Sequence, residues 1–389
     1  MYKVKVIVVA SLWAATWTAC GSGKKEQSQQ TPMNTHELTM LVGTYTSGSS
    51  KGIYTYRFDQ DTGEATPLST TEVSNPSYLN VSEDGNFVYA VSENKGDEAV
   101  VSAFAFHAEN GTLRLLNSQL TQGDAPCYVI TNGKQVVTAN YGSGSITVLP
   151  LAADGSLLPA SAVIPFEGSG PNSERQQRPH LHCVRFTPDG KYLLADDLGT
   201  DKIHNFTVNV QADAKNKETF LTPGTPEAYV IEPGSGPRHL TFSADGKFAY
   251  LINEISGTVT AFSYRNGELQ QIQTAVSDTL GAGGSADIHI SPDGRFLYSS
   301  NRLQADGIAI FRRDTETGML TRLGHQFTGV HPRNFILTPN GKYLLVACRD
   351  SNVVQIFLRD KETGLLTETD KEILLDKPVC IKFAECPGE

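Results

Sequence analysis

Tryptophan is nearly missing from this chain: 389 residues hold two, Trp13 and Trp17, both close to the N-terminus. There is no C-x-x-C pair, which removes the usual spacing signature of a structural zinc site or a dithiol redox centre. Basic residues are outnumbered, 32 Lys+Arg against 42 Asp+Glu, for a formal charge of −10. That balance argues against a nucleic-acid partner, whose affinity rests on clustered cations neutralising phosphates. After Ala15 no apolar run is long enough to span a bilayer. Only 19% of residues are charged and 39% are hydrophobic, too apolar a mixture for a disordered chain.

The first residues read as an address. Lys3 and Lys5 precede an apolar stretch from Val6 to Ala15, and the segment closes on Thr18-Ala19-Cys20-Gly21. A short basic region, a brief hydrophobic core and small residues at the cut describe an export signal over residues 1–19. Cys20 in that setting resembles the lipidated cysteine of bacterial lipoproteins, although Trp17 stands where leucine is usual. The expectation is a lipid-anchored protein of the cell envelope, with residues 20–36 as a flexible tether and 37–389 as one folded domain. An ordinary signal peptide cut nearby is the alternative, and a cytoplasmic location follows if the segment is no signal at all. Five further cysteines remain: Cys127, Cys183, Cys348, Cys380 and Cys386. Four lie in apolar alternating runs and are expected to be small buried thiols.

What the chain has in quantity is glycine, 35 residues, placed with a period. Asp/Asn-Gly turns recur at Gly85, Gly133, Gly190, Gly246, Gly294 and Gly341, each about fifty residues from the next. Each follows a proline, an alternating run and a Ser or Thr, as in Gly236-Pro-Arg-His-Leu-Thr-Phe-Ser-Ala-Asp-Gly246. A second series lies between them at Gly63, Gly111, Gly155, Gly267, Gly318 and Gly364, with one double gap whose middle is Lys215 to Thr219. The first series counts seven units with the truncated C-terminal copy, Lys377 to Glu385, and the second counts seven with the unit that fills its double gap. Asp-Gly and Asn-Gly between alternating runs are hairpin turns, so each unit reads as four short antiparallel strands, A to D. Four strands at this period make a β-propeller blade. The predicted fold is therefore an all-β, seven-bladed propeller. Strand A of one blade comes from 379–385 and its strands B to D from 38–46, 52–59 and 66–73, so both termini complete one sheet.

In such a ring strand A lines the central channel, and the start of A and the end of B open on one side. The A starts supply Ser77, Cys127, His180 with His182, Arg238 with His239, Asp287 with His289, and Arg333 with Asn334. The B ends supply Tyr45, Glu93, Asn140 with Tyr141, Asp196 with Asp197, Glu254, Arg302, and Arg349 with Asp350. The A-to-B turns of the other side are plain Asp/Asn-Gly with Lys, Arg or Asn. One face is chemically equipped. Any single residue here has a plain structural role open to it, satisfying backbone or pairing between blades; the set as a whole points to a site.

These strings, among them Arg178-Pro-His-Leu-His, Asp197-Leu-Gly-Thr-Asp201, Gly236-Pro-Arg-His-Leu-Thr-Phe, Asn253-Glu254 and Ser291-Pro-Asp-Gly-Arg-Phe-Leu-Tyr-Ser-Ser-Asn-Arg302, resemble the lactonase family of seven-bladed propellers. The resemblance runs from about Leu38 to the C-terminus. It implies lactone hydrolysis of the 6-phosphogluconolactonase kind, with His182 (or His180), Arg238, Glu254 and Arg302 as catalytic residues. Lactone opening needs a base for water and a cation facing the tetrahedral oxyanion. Neutral His182, or Glu254 with its pKa raised by the channel, fits the base; Arg238 and Arg302 fit an anion clamp. His180, His239, Glu93, Asn140, Asp197, His289 and Arg333 are expected to line the substrate. The expected partner is a small, anionic lactone, with no nucleic acid and with a membrane met only through the lipid anchor. No cofactor is expected. His180 and His182 share a strand face and could meet Asp197 or His289 at a metal, but the spacing fixes no third ligand, so none is assigned. Gly48-Ser-Ser-Lys-Gly52 copies a hydrolase nucleophile string outside the strand–turn–helix it requires. A carboxymuconate-type lactonizing enzyme and a non-catalytic ligand-binding propeller are the alternatives.

Overall fold

The periodic glycines close hairpins as their φ values require. Gly85, Gly190, Gly246, Gly294 and Gly341 all lie between 66° and 71°, a region costly for any residue with a Cβ. The computed structural model of the protein describes residues 36–212 and 218–384. The signal segment, Cys20, Cys386 and residues 213–217 of the double gap lie outside the described residues.

Within them, seven four-stranded antiparallel sheets form the molecule. Their innermost strands are Pro378–Ala384 (blade 1), Leu79–Val81 (blade 2), Pro126–Thr131 (blade 3), Leu181–Phe186 (blade 4), Pro237–Phe242 (blade 5), Ile288–Ile290 (blade 6) and Pro332–Leu337 (blade 7). Each touches the next, and blade 7 touches blade 1, so the ring is closed. Blade 1 pairs Pro378–Ala384 with Glu37–Thr44, followed by Gly52–Asp59 and Ala65–Glu72. The strand order predicted for the stitched blade is the one observed.

The two glycine series interlock. The C-to-D turn glycine of one blade sits on the aromatic that opens strand B of the blade before it: Gly155 on Phe87, Gly267 on Tyr192, Gly318 on Phe248 and Gly364 on Phe296. A Cβ at Gly318 would stand 2.2 Å from the Phe248 ring, and its φ of 74° is already left-handed. Blades are thus keyed to each other at two points per repeat, and the apolar faces between them fill with buried Val, Leu, Ile and aromatic side chains. Cys127, Cys183, Cys348 and Cys380 are free and buried, as expected.

A β-bulge recurs where strand A begins. Pairing skips Cys127 between Pro126 and Tyr128, His182 between Leu181 and Cys183, and Arg238 between Pro237 and His239. It likewise skips Arg333 between Pro332 and Asn334, and Val379 between Pro378 and Cys380. An unpaired extra residue re-aims its side chain. Here all five line one cavity at the mouth of the channel, with Ser77.

Candidate active site

The bulge residues give the mouth its floor and the B ends give it walls. An open cavity of about 200 Å³ is lined by Glu93, Cys127, Tyr141, Arg175, His182, Glu254 and Arg333. Glu254 is its electrostatic centre. Oε2 accepts from Arg238 Nε at 2.7 Å and faces Arg302 Nη2 at 3.0 Å, while Oε1 accepts from Arg175 Nη2 at 2.5 Å. Burial would raise this carboxyl, but Arg302, Arg238 and Arg175 together hold it far below the usual glutamate range. The expected raised pKa is thereby reversed: the site is rich in cations, and they favour the ionised form of Glu254.

Arg238 is the deepest of the guanidiniums, 1% exposed, with Nη1 donating to the Ala286 carbonyl and to His239 Nε2. Because that nitrogen accepts, His239 carries its proton on Nδ1 and donates it to Asp287 Oδ1 at 2.8 Å. Burial and Arg238 push His239 down to about 3, so it stays neutral. Arg302 commits Nε to the Gly284 carbonyl, Nη1 to His331 and Nη2 to Glu254 and Ser285, and burial with crowding by neighbouring cations lowers it to about 9. It braces Glu254 from behind and is not among the residues lining the cavity. Arg333 is held more loosely, 3.5 Å from Glu93 Oε2 and over the Tyr45 ring, whose hydroxyl donates to the same oxygen.

His182 differs from all of these. It is 5% exposed, and its Nδ1 is buried without a hydrogen-bond partner. Burial, then Arg238, His239 and Arg333, hold it well below the ordinary imidazole range, so it faces the cavity neutral. The Cys127 thiol beside it donates weakly to the Leu181 and His182 carbonyls and is pushed up by burial, which leaves it protonated and inert.

The structure therefore brings together His182, Arg238, His239, Glu254, Arg302, Arg333 and Glu93. It places others elsewhere. Asn140 spends its amide on Ser145 and Thr147 inside blade 3. Asp197 accepts from His180 N, Gly199 N, Thr200 Oγ1 and His204 Nε2, and so holds a turn of blade 4. His180 stacks on Tyr141 and binds its carbonyl through Nδ1, at the edge of the mouth. His289 reaches Asp287 from the side away from the cavity. Each of these polar groups is satisfied by protein. Arg175 is the residue that the repeat pattern misses, because it lies in the connection 166–180, outside every repeated slot; the length of that connection is the signal that marks it.

Four guanidiniums (Arg175, Arg238, Arg302, Arg333), two carboxylates (Glu93, Glu254) and a neutral imidazole whose Nδ1 has no partner thus stand together at one end of the pore of a seven-bladed ring. The chain belongs to the family described as Lactonase, 7-bladed beta-propeller, which matches residues 39–383. It is 37% identical over 326 residues to a 6-phosphogluconolactonase of Formosa agariphila, covering 82% of this chain and 91% of the relative. A crystal structure of a candidate 6-phosphogluconolactonase from Bacteroides fragilis superposes with a TM-score of 0.90 at 67% identity, over 91% of this chain and 99% of that one. The periplasmic gluconolactonase of Pseudomonas aeruginosa superposes with a TM-score of 0.84 at 36% identity, over 90% of this chain and 100% of that one.

Proposed function

We propose that the protein hydrolyses a sugar-type lactone, of the 6-phosphogluconolactone class, in the channel mouth. His182 takes the proton of a water molecule through Nδ1, and that water attacks the lactone carbonyl. The oxyanion that forms faces Arg238 at the cavity floor, where a buried cation stabilises developing negative charge. The imidazolium returns its proton to the departing ring oxygen, which opens the ester. Arg333 and Arg175, the two guanidiniums that line the open cavity, clamp the phosphate or carboxylate of the substrate. Glu254 holds Arg175, Arg238 and Arg302 in place rather than acting as base.

The observation that carries this reading is the bare Nδ1 of His182: a buried polar atom left without a partner beside a cluster of cations points to a reacting molecule. The charge sum supports an anionic substrate: four guanidiniums stand against Glu93, Glu254 and the ionised Asp287 behind His239, which leaves one positive charge over. The export-like N-terminus and the periplasmic relative support work in the cell envelope, anchored through Cys20.

The test is proton release with a pH indicator, using 6-phosphogluconolactone and gluconolactone on purified protein. We expect turnover above the spontaneous rate, reduced about 10²–10⁴-fold in His182→Ala. The acidic limb of kcat/KM should fall well below pH 6.5, following the lowered His182. Ligand binding without turnover, or full activity in His182→Ala, removes the mechanism.

A further inference from the structure

The innermost strands run on past the mouth. Beneath the mouth, Tyr78 and Tyr128 stack with centroids 4.0 Å apart, and His239 packs edge-on against both rings. This layer sits at the register just after the bulge, which Tyr128, Cys183, His239 and Cys380 share, and is the plug between the mouth and the next residues along the strands. Two residues further along each strand, side chains return to the channel on the far side of the plug. There blade 4 supplies Arg185, blade 6 His289 and blade 1 Lys382.

Their partners are few. Lys382 Nζ donates to the Tyr78 hydroxyl at 3.1 Å and lies 4.3 Å from the centre of that ring. Arg185 is the cation beside Tyr128, whose phenol acts on it electrostatically. Among the described residues no carboxylate lies within ion-pair distance of either cation. The buried carboxylate Asp287 is already engaged by His239, His289 and Asn334. Asp196, which senses Arg185, is held protonated to about 8 by burial. Both cations are half-buried and His289 is 29% exposed, so solvent reaches them. A guanidinium and an ammonium thus converge on two stacked phenols, with no counter-charge of their own. That is an unusual arrangement, because partly desolvated cations are normally paired.

We propose that this far vestibule is a second binding site, distinct from the mouth, for a small oxyanion such as phosphate or a carboxylate held between Arg185 and Lys382. Charge-assisted hydrogen bonds from both cations supply its affinity, and the plug keeps its ligand apart from the mouth.

Equilibrium dialysis of the mature protein against radiolabelled inorganic phosphate tests it. Lys382→Gln and Arg185→Gln should each remove a phosphate or weaken it by at least about tenfold, the loss of one charge-assisted contact. Lys382→Arg should retain it. Lactone hydrolysis should be unchanged in Lys382→Gln, so this site and the mouth are judged separately. If Arg185→Gln fails to fold, the half-exposed Lys382 decides. Phosphate binding of unaltered stoichiometry and affinity in Lys382→Gln, or no phosphate binding by the unaltered protein, overturns the proposal.

Discussion

Arg238 Nε and Glu254 Oε2 meet at 2.7 Å across the first two strands of blade 5, and both side chains are buried. Two more guanidiniums, Arg175 and Arg302, lean on the same carboxylate. Removing one partner of a buried ion pair leaves an uncompensated charge, which typically costs about 3–5 kcal/mol. Glu254→Gln keeps the volume but leaves three cations without their anion, and we expect a loss of that order in urea denaturation. The pH sign follows from the depressed pKa. The stabilisation is complete above the ordinary glutamate range and is lost only as pH falls far below it. An unaltered urea midpoint in Glu254→Gln at pH 7 would show that the cluster is not held by this carboxylate.

Arg333 makes the loosest ion pair in the mouth, 3.5 Å to Glu93, and is free to change partner. Arg333→Ala is expected to raise KM for 6-phosphogluconolactone by about ten- to a hundredfold, the worth of one charge-assisted contact, with a smaller effect on kcat. Gluconolactone, which lacks the phosphate, should be affected much less. Equal losses on both lactones would assign Arg333 to the reacting centre instead.

Asp196 is 1% exposed, and neither carboxyl oxygen has a conventional hydrogen-bond partner; only the weakly donating Cys183 thiol stands beside it. Burial raises it to about 8, so the folded protein carries the proton and the unfolded chain releases it near 4. A raised folded-state pKa contributes stability that is complete below the unfolded value and is lost as pH rises through the folded one. Between pH 5 and pH 8 the urea midpoint should therefore fall in the wild type relative to Asp196→Asn. Parallel pH dependence in the two proteins would contradict a buried, protonated Asp196.

The ring was legible because its signals are local and repeated. An Asp-Gly turn declares itself within two residues, and seven copies leave little freedom in the count. The bulge was partly legible, since Pro126, Pro237, Pro332 and Pro378 each stand just before the skipped residue, where a missing N–H costs the ladder nothing. Blade 4 departs from this, with Pro179 two residues earlier, and the sequence left His180 and His182 as alternatives. The structure separates them: His180 is spent on Tyr141, while His182 is bare. Asn140 and Asp197 sit in the slot of Asn253, one residue before that of Glu254, and Asn253 likewise spends its amide inside its own blade, on Thr258 and Thr260; grouping the strand ends loosely hid that one-residue offset. The direction of the Glu254 shift was hidden for a related reason. It depends on three arginines from three separate stretches of chain.

The wall of the mouth at Val379, and the Ile381 N–H that binds Asn334 Oδ1, both belong to the final strand, Pro378–Ala384. A chain clipped before Pro378 loses a wall of the cavity and the innermost strand of blade 1 together. C-terminal trimming should therefore lower stability and turnover at once, although every charged side chain of the mouth is still present.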